Sequence, residues 1–406
     1  MTWLALDAGT AAVTAAVWSG DGLVSVARAP LPVSCGARDL WAGVEAAVAG
    51  LAADLVEVEA VGCSGAAGAY LLLARDGEPL GPVSLPVASG DAGVAERAGG
   101  FEAVRQRTGV PLDAASVPAR LAASAPDRVG WVAGTRDFVA SLLTGRLASD
   151  PTYASGTGFF AADGTLDAAV CAACGVDPEW LPPQKGSTEV LGDLLLPAAR
   201  RLGLRSRIPV VTGATTEACA VEGAGALPVA PLVTWGSPAV VSVPVSPPAG
   251  PLPEGVALRA GGRSYQVYEA PVRGVTDALD LLVARSGRSR AALVAAAAVA
   301  APGSDPVRLA YESAARSVSS LVGVLAPGAA FLYGAGDEDR AWRTVLPSVT
   351  GLPVAYRRSG EHGALGLAML TATGAGSHLD RDAANPVAYV DEPDPDLAGR
   401  YAAGAP

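Results

Sequence analysis

The sequence predicts an α/β protein made of two comparable halves that face each other across a cleft. Three observations carry this. The chain opens on "LALDAGTAAVTAAVWSGDG" (4–22), two apolar strands joined by an Asp-Ala-Gly-Thr turn. After residue 205, "IPVVTGATTEACAVEGAGAL" reads as strand, turn and helix, and "APLVTWGSPAVVSVPVSPPAG" then repeats the opening design. A third strand-to-helix turn lies at "FLYGAGDEDRAW". Gly236-Ser237 mirrors Gly9-Thr10, and the boundary falls near residue 227, giving halves 1–226 and 227–406. Two strand turns rich in backbone N–H groups, facing each other, form a site for phosphates.

The elements follow in order. Residues 4–18 alternate as strands do, Gly20-Asp21-Gly22 signals a hairpin, and "LVSVARAPL" continues the sheet. "DLWAGVEAAVAGLAADL" from Asp39 has apolar residues at helical spacing. "VEAVGCSG" and "AYLLLARDGEPLGPV" add strands, and residues 100–150 read as helical. "AALVAAAAVAAPG" from Ala291 reads as a buried helix, too short to span a bilayer. Glu312 and Arg316 suit a solvated i,i+4 pair, and the last thirty residues, with "DEPDPD", read as loosely ordered.

Composition excludes several classes. The net charge is −11 with no basic run, which argues against a nucleic-acid partner. Lys185 is the single lysine, so no phosphate-binding G-x-x-x-x-G-K-[ST] loop exists. The N-terminus reaches Asp7 without a positive region, unlike a signal peptide, and no membrane partner is expected. Five cysteines, an odd number, fit a reduced, cytoplasmic setting. Cys171 and Cys174 form a C-x-x-C without a second pair or nearby His, read as two buried thiols on a helix.

Taken in order, these motifs make the chain resemble the FGGY carbohydrate kinases. The first hairpin is joined by "DFVASLLTGRLASDPTYASGTGFFAADG" (137–164), "WLPPQKGSTEVLGDL" (180–194), "IPVVTGATTEA", "TWGSP" (234–238), "GAGDEDRAW" and "EHGALGLAML". The resemblance implies the two-domain actin-like ATPase (ribonuclease H-like) fold. It also implies ATP-dependent phosphoryl transfer, with Mg²⁺, to a hydroxyl of a small sugar, polyol or related metabolite. Asp7 would hold the metal through water. Backbone N–H groups at Gly9, Thr10, Gly236 and Ser237 would cradle phosphates, and Gly334, Ala335 and Gly336 would admit the adenosine. A homodimer is compatible with this reading.

The chain also departs from the family. The aspartate that usually follows the Gly-Ala-Thr turn and accepts the acceptor's proton is here Thr216, and a threonine hydroxyl is no base near neutral pH. Glu217 is adjacent, but neighbouring helix positions point about 100° apart; its plain role is a first-turn glutamate on the helix dipole. Thr14 stands where the family often has Lys or Arg. The Trp-x-Asp-x-Arg loop is replaced by "LPVASGDAGVAER", which leaves Asp91 as a candidate acid or a solvated loop residue. The stretch before "VRLAYESAARSV" is shortened, removing a Gly-Glu-Arg segment. His362 reads as a capping or surface residue. The catalytic candidates are therefore Glu217, Thr216 and Asp91, in a smaller, more apolar acceptor pocket. The competing reading is a catalytically impaired, kinase-like module that binds nucleotide or metabolite.

Overall fold

The computed structural model describes residues 1–402, apart from 87–88, 125–127, 236–238, 247–249, 273–274 and 336–339. The strands in chain order are β1 (Thr2–Ala8), β2 (Ala12–Ser19), β3 (Gly22–Pro30), β4 (Val58–Gly65), β5 (Tyr70–Leu73), β6 (Trp131–Gly134), β7 (Val190–Asp193) and β8 (Pro209–Val211) in the first half. The second half holds β9 (Leu232–Thr234), β10 (Ala239–Val245), β11 (Ala257–Ala260), β12 (Gln266–Val272), β13 (Leu332–Gly334), β14 (Val354–Arg357) and β15 (Val387–Asp391).

The first sheet runs β3-β2-β1-β4-β8-β7, and the second runs β11-β12-β10-β9-β13-β14-β15. In each, an antiparallel meander leads into parallel strands: β1 pairs antiparallel with β2 and parallel with β4, as β9 does with β10 and β13. The repeat expected from two similar hairpins is thus a repeat of sheet topology. Ser19 pairs with Gly22, so Gly20-Asp21 is the two-residue turn, and Gly22 takes φ +129°, which favours glycine.

One helix breaks the linear division at residue 227. His362–Gly374, near the C-terminal end, packs on β1, β4 and the Thr216–Ala224 helix, sharing a core with Trp3, Trp18 and Ala60. Its approach requires glycines. A methyl group on Gly366 would overlap the Cys219 carbonyl, and one on Gly223 would overlap the His362 carbonyl. The two helices therefore cross backbone against backbone.

Several local expectations are corrected. Trp131–Gly134 is a strand, because it pairs with β5 ahead of the Thr135–Thr144 helix. The helix at Arg290–Val299 buries only Leu293 and Ala297, and Val299 is exposed. Glu312 is fully buried; its partner is Arg308 at 3.1 Å, with the Tyr401 hydroxyl donating at 2.9 Å, while Arg316 is exposed. The terminal region is ordered where β15 pairs with β14 and Arg343 grips Asp391 through two bonds of 2.7 and 2.8 Å. Cys171 and Cys174 are buried free thiols, as expected. Among the described residues no helix is long and apolar enough to cross a membrane.

Candidate functional site

Asp7 is the last but one residue of β1, and its row crosses the sheet in register with Thr14 on β2 and Ser64 on β4. Its Oδ1 accepts from the Ser64 hydroxyl at 2.7 Å and from the Thr216 hydroxyl at 2.6 Å. Burial raises the proton affinity of this carboxyl, and the two hydroxyl donors oppose that. Arg28, opposite Thr14 on β3, lowers it further, but its guanidinium is itself paired with Glu361. The turn that follows is tight: a Cβ on Gly9 would lie 2.9 Å from the Ala12 carbonyl oxygen, and Thr10 is exposed.

The turn that delivers Thr216 is fixed from below by a buried ionic network. Arg136 reaches Asp137 at 2.5 Å and Asp150 at 3.0 Å, and donates to the Thr212 carbonyl at 2.7 Å. The Thr152 hydroxyl accepts from the Thr215 N–H at 2.8 Å, and Thr215 caps the helix by accepting from the Ala218 N–H. With Thr215 as cap, Thr216 points to Asp7, and Glu217, one position on, points elsewhere.

Glu217 opens into a cavity of about 1020 Å³ between residues 101–113 of the first half and β10–β12 of the second. Its Oε2 is buried and makes no hydrogen bond. Burial, helped by the Glu269 carboxylate and opposed by Arg259, pushes its carboxyl up to about 7. Arg259 and Glu269 form an ion pair at 2.9 Å across the β11–β12 ladder. The cavity carries five carboxylates and two guanidiniums. It is therefore more charged than the smaller, apolar pocket expected, because β12 contributes Glu269, the loop before β11 contributes Glu254, and residues 101–113 add Glu102 and Asp113, acids that no motif announced.

The other candidates are dispersed. Asp91 is part-exposed, and its Oδ2 accepts from Arg97 at 2.7 Å while Oδ1 caps the Gly93 N–H at 2.8 Å. The Arg97 bond, then the Gly93 bond, hold it below the usual carboxylate range. It does not line the Glu217 cavity. Gly334 abuts the Tyr356 ring, where a Cβ would come within 2.5 Å, so packing alone demands a glycine there. The Ala335 N–H donates to the Val233 carbonyl. Gly236, Ser237 and Gly336 lie outside the described residues, although Trp235, just before the second turn, is held between Tyr311 and Trp342 at 5.0 and 4.4 Å. His362 is buried rather than at the surface, being the first residue of the crossing helix. Ser64, Arg28, Arg259 and Glu269 escaped the sequence reading; a lone Arg and a lone Glu on the otherwise apolar strands "ALRA" and "QVYEAPV" were the available signal.

Two sheets of one topology, with an acidic residue at the first hairpin and a cavity between the halves, define a two-domain actin-like ATPase fold. The FGGY family of carbohydrate kinases, N-terminal domain, matches residues 2–223, so the chain belongs to that family. No curated protein matches the sequence. Among solved structures it is similar to the xylulose kinase from Rhodospirillum rubrum, with TM-score 0.83, 24% identity and coverage of 99% of this chain and 96% of that one. It is also similar to the gluconate kinase from Lactobacillus acidophilus (TM-score 0.86, 15% identity, coverage 99% and 95%). A third is the Plasmodium falciparum glycerol kinase with ADP (0.80, 11%, 99% and 96%).

Proposed function

We propose that the protein transfers a phosphoryl group from ATP to a hydroxyl of a small sugar, polyol or related metabolite, with Glu217 as the base. The observation that carries this is one turn of helix: Thr216 faces Asp7, and Glu217 faces the cavity with an unpartnered oxygen and a proton affinity near neutrality. A base matched to the working pH is what such transfer uses. In the reaction the acceptor oxygen bonds to the γ-phosphorus, the bond from that phosphorus to its bridging oxygen breaks, and the hydroxyl proton goes to Glu217. The solved glycerol kinase neighbour contains ADP, which supports the choice of nucleotide.

Asp7 suits Mg²⁺. Among the described residues no group of three His, Cys, Asp or Glu could hold a metal unaided. Mg²⁺ commonly takes one or two carboxylates and fills its remaining positions with water and phosphate oxygens. The ion, when bound, neutralises charge on the phosphates. Ser64 and Thr216 keep Asp7 oriented by donating to one of its oxygens, leaving Oδ2 for that role.

Incubation with Mg-ATP and a panel of sugars, polyols and cyclitols, read by ADP release and product mass, tests the reading. A phosphorylated product whose formation falls about 10²–10⁴-fold in Glu217→Gln is expected. Thr216 favours the second reading, a nucleotide- or metabolite-binding module. That reading stands if nucleotide binds but neither the parent nor Thr216→Asp transfers phosphate to any acceptor.

A further inference from the structure

The two guanidiniums of the Glu217 cavity are already matched: Arg105 to Glu102 at 2.7 Å, and Arg259 to Glu269 at 2.9 Å. Three carboxylates that line the cavity, Asp113, Glu217 and Glu254, make no close ion pair among the described residues, although Arg120, Arg259 and Arg105 respectively act on them at longer range. Asp113 spends one oxygen on the Ala115 N–H, which adds no positive charge. Glu217 goes further, with a buried oxygen that no donor meets. A desolvated, unpartnered carboxylate costs free energy that a ligand can recover. The three acids do not converge closely enough to hold a metal ion. An organic cation can reach acids that a single metal ion does not bridge. Phe101, 42% exposed on the cavity wall, offers a ring face of the kind that ammonium groups prefer.

We propose that this cavity takes a hydroxylated amine, such as an amino sugar, an aminocyclitol or an amino alcohol. Resting on the phosphotransferase reading, the hydroxyl to be phosphorylated approaches Glu217 Oε2. The ammonium lies toward Asp113 and Glu254. Anionic acceptors are disfavoured, because five carboxylates outnumber the two guanidiniums on the cavity wall.

The test compares glucosamine and an aminocyclitol with their neutral hydroxyl counterparts and with an aldonic acid. Each is measured both as an acceptor with Mg-ATP and as a ligand by calorimetry without nucleotide. The amine is expected to bind and react at least about tenfold better than its neutral counterpart, and the acid worst. The preference should shrink at high salt, since part of it is exposed-charge attraction. The ratio of amine to neutral acceptor should fall about tenfold in the Asp113→Asn/Glu254→Gln double variant. Both positions are exposed, so the variant is expected to fold, with an unchanged melting temperature as the check. Equal or better use of neutral or anionic acceptors overturns the inference and leaves the kinase reading standing. Amine binding that depends on Asp113 and Glu254, with no ADP released from any acceptor, overturns the kinase reading and leaves the ligand class standing. Absence of amine binding and of amine turnover overturns the inference.

Discussion

Glu217 illustrates how one residue couples chemistry to stability. Its carboxyl is raised from 4.5 to about 7 in the folded chain, so the folded state holds its proton more tightly than the unfolded one. The contribution is fully present below about 4.5 and is lost as pH rises through 7. A shift of this size corresponds to roughly 3 kcal/mol at most. Glu217→Gln is therefore expected to melt higher than the parent at pH 8, with the difference shrinking below pH 7 and closing near 4.5. Thermal unfolding across that range checks it. With Glu217 as the proposed base, activity should run the other way, kcat/KM rising with pH through about 7 as the carboxyl ionises. In the proposed reaction Asp7 stands on the phosphate side. Asp7→Asn should leave the fold intact while abolishing the tightening of nucleotide binding by Mg²⁺, measured by calorimetry. If the variant binds Mg-ATP as well as the parent, the metal role belongs to another group.

At the scale of elements, the crossing of the Thr216–Ala224 and His362–Gly374 helices sets where Thr216 and Glu217 stand. Gly366 and Gly223 let the two backbones touch, and Gly62 on β4 sits beneath Thr371 of the upper helix. Gly366→Ala must push the helices apart. Overpacking of this kind costs about 1–3 kcal/mol, so the variant should melt several degrees lower and lose acceptor turnover together, as circular dichroism and an ADP assay would show. The sequence made part of this legible. Asp7, Thr216 and Glu217 sit in short local motifs, where a turn and the start of a helix dictate the geometry. The repeat of two strand hairpins disclosed the repeated sheet. Arg259, Glu269 and Asp113 were not legible as site residues, because strand register and long-range packing bring them to Glu217. Glu312 misled in part for the same reason: Tyr401 at the far end of the chain reaches it, while its ion-pair partner is Arg308, one turn earlier on its own helix, rather than Arg316 one turn later.

For the whole molecule, Arg105 is the clasp between halves. It is 4% exposed and donates to the carbonyls of Leu252, Pro253 and Val256 at 2.8, 2.8 and 3.0 Å. The Leu258 N–H adds a bond to the Gly109 carbonyl at 2.7 Å. Both contacts border the cavity, so parting the halves would break them and widen it. Arg105→Ala should raise the acceptor KM and enlarge the radius of gyration seen by small-angle X-ray scattering. An unchanged radius would place the restraint elsewhere.

The helix at His362–Gly374 also sets an order of events during synthesis. Trp3, Ala5, Trp18 and Ala60, all made early, are covered by Leu365, Leu367, Ala368 and Leu370, made near the end. During synthesis that apolar face of the first sheet would stay uncovered for the time needed to add about three hundred residues, tens of seconds at about 5–20 residues per second. Such an uncovered apolar face is expected to engage a chaperone that shields apolar surface until the last helix arrives. A chain stopped at residue 360 should be captured and degraded rather than accumulate as a folded first half.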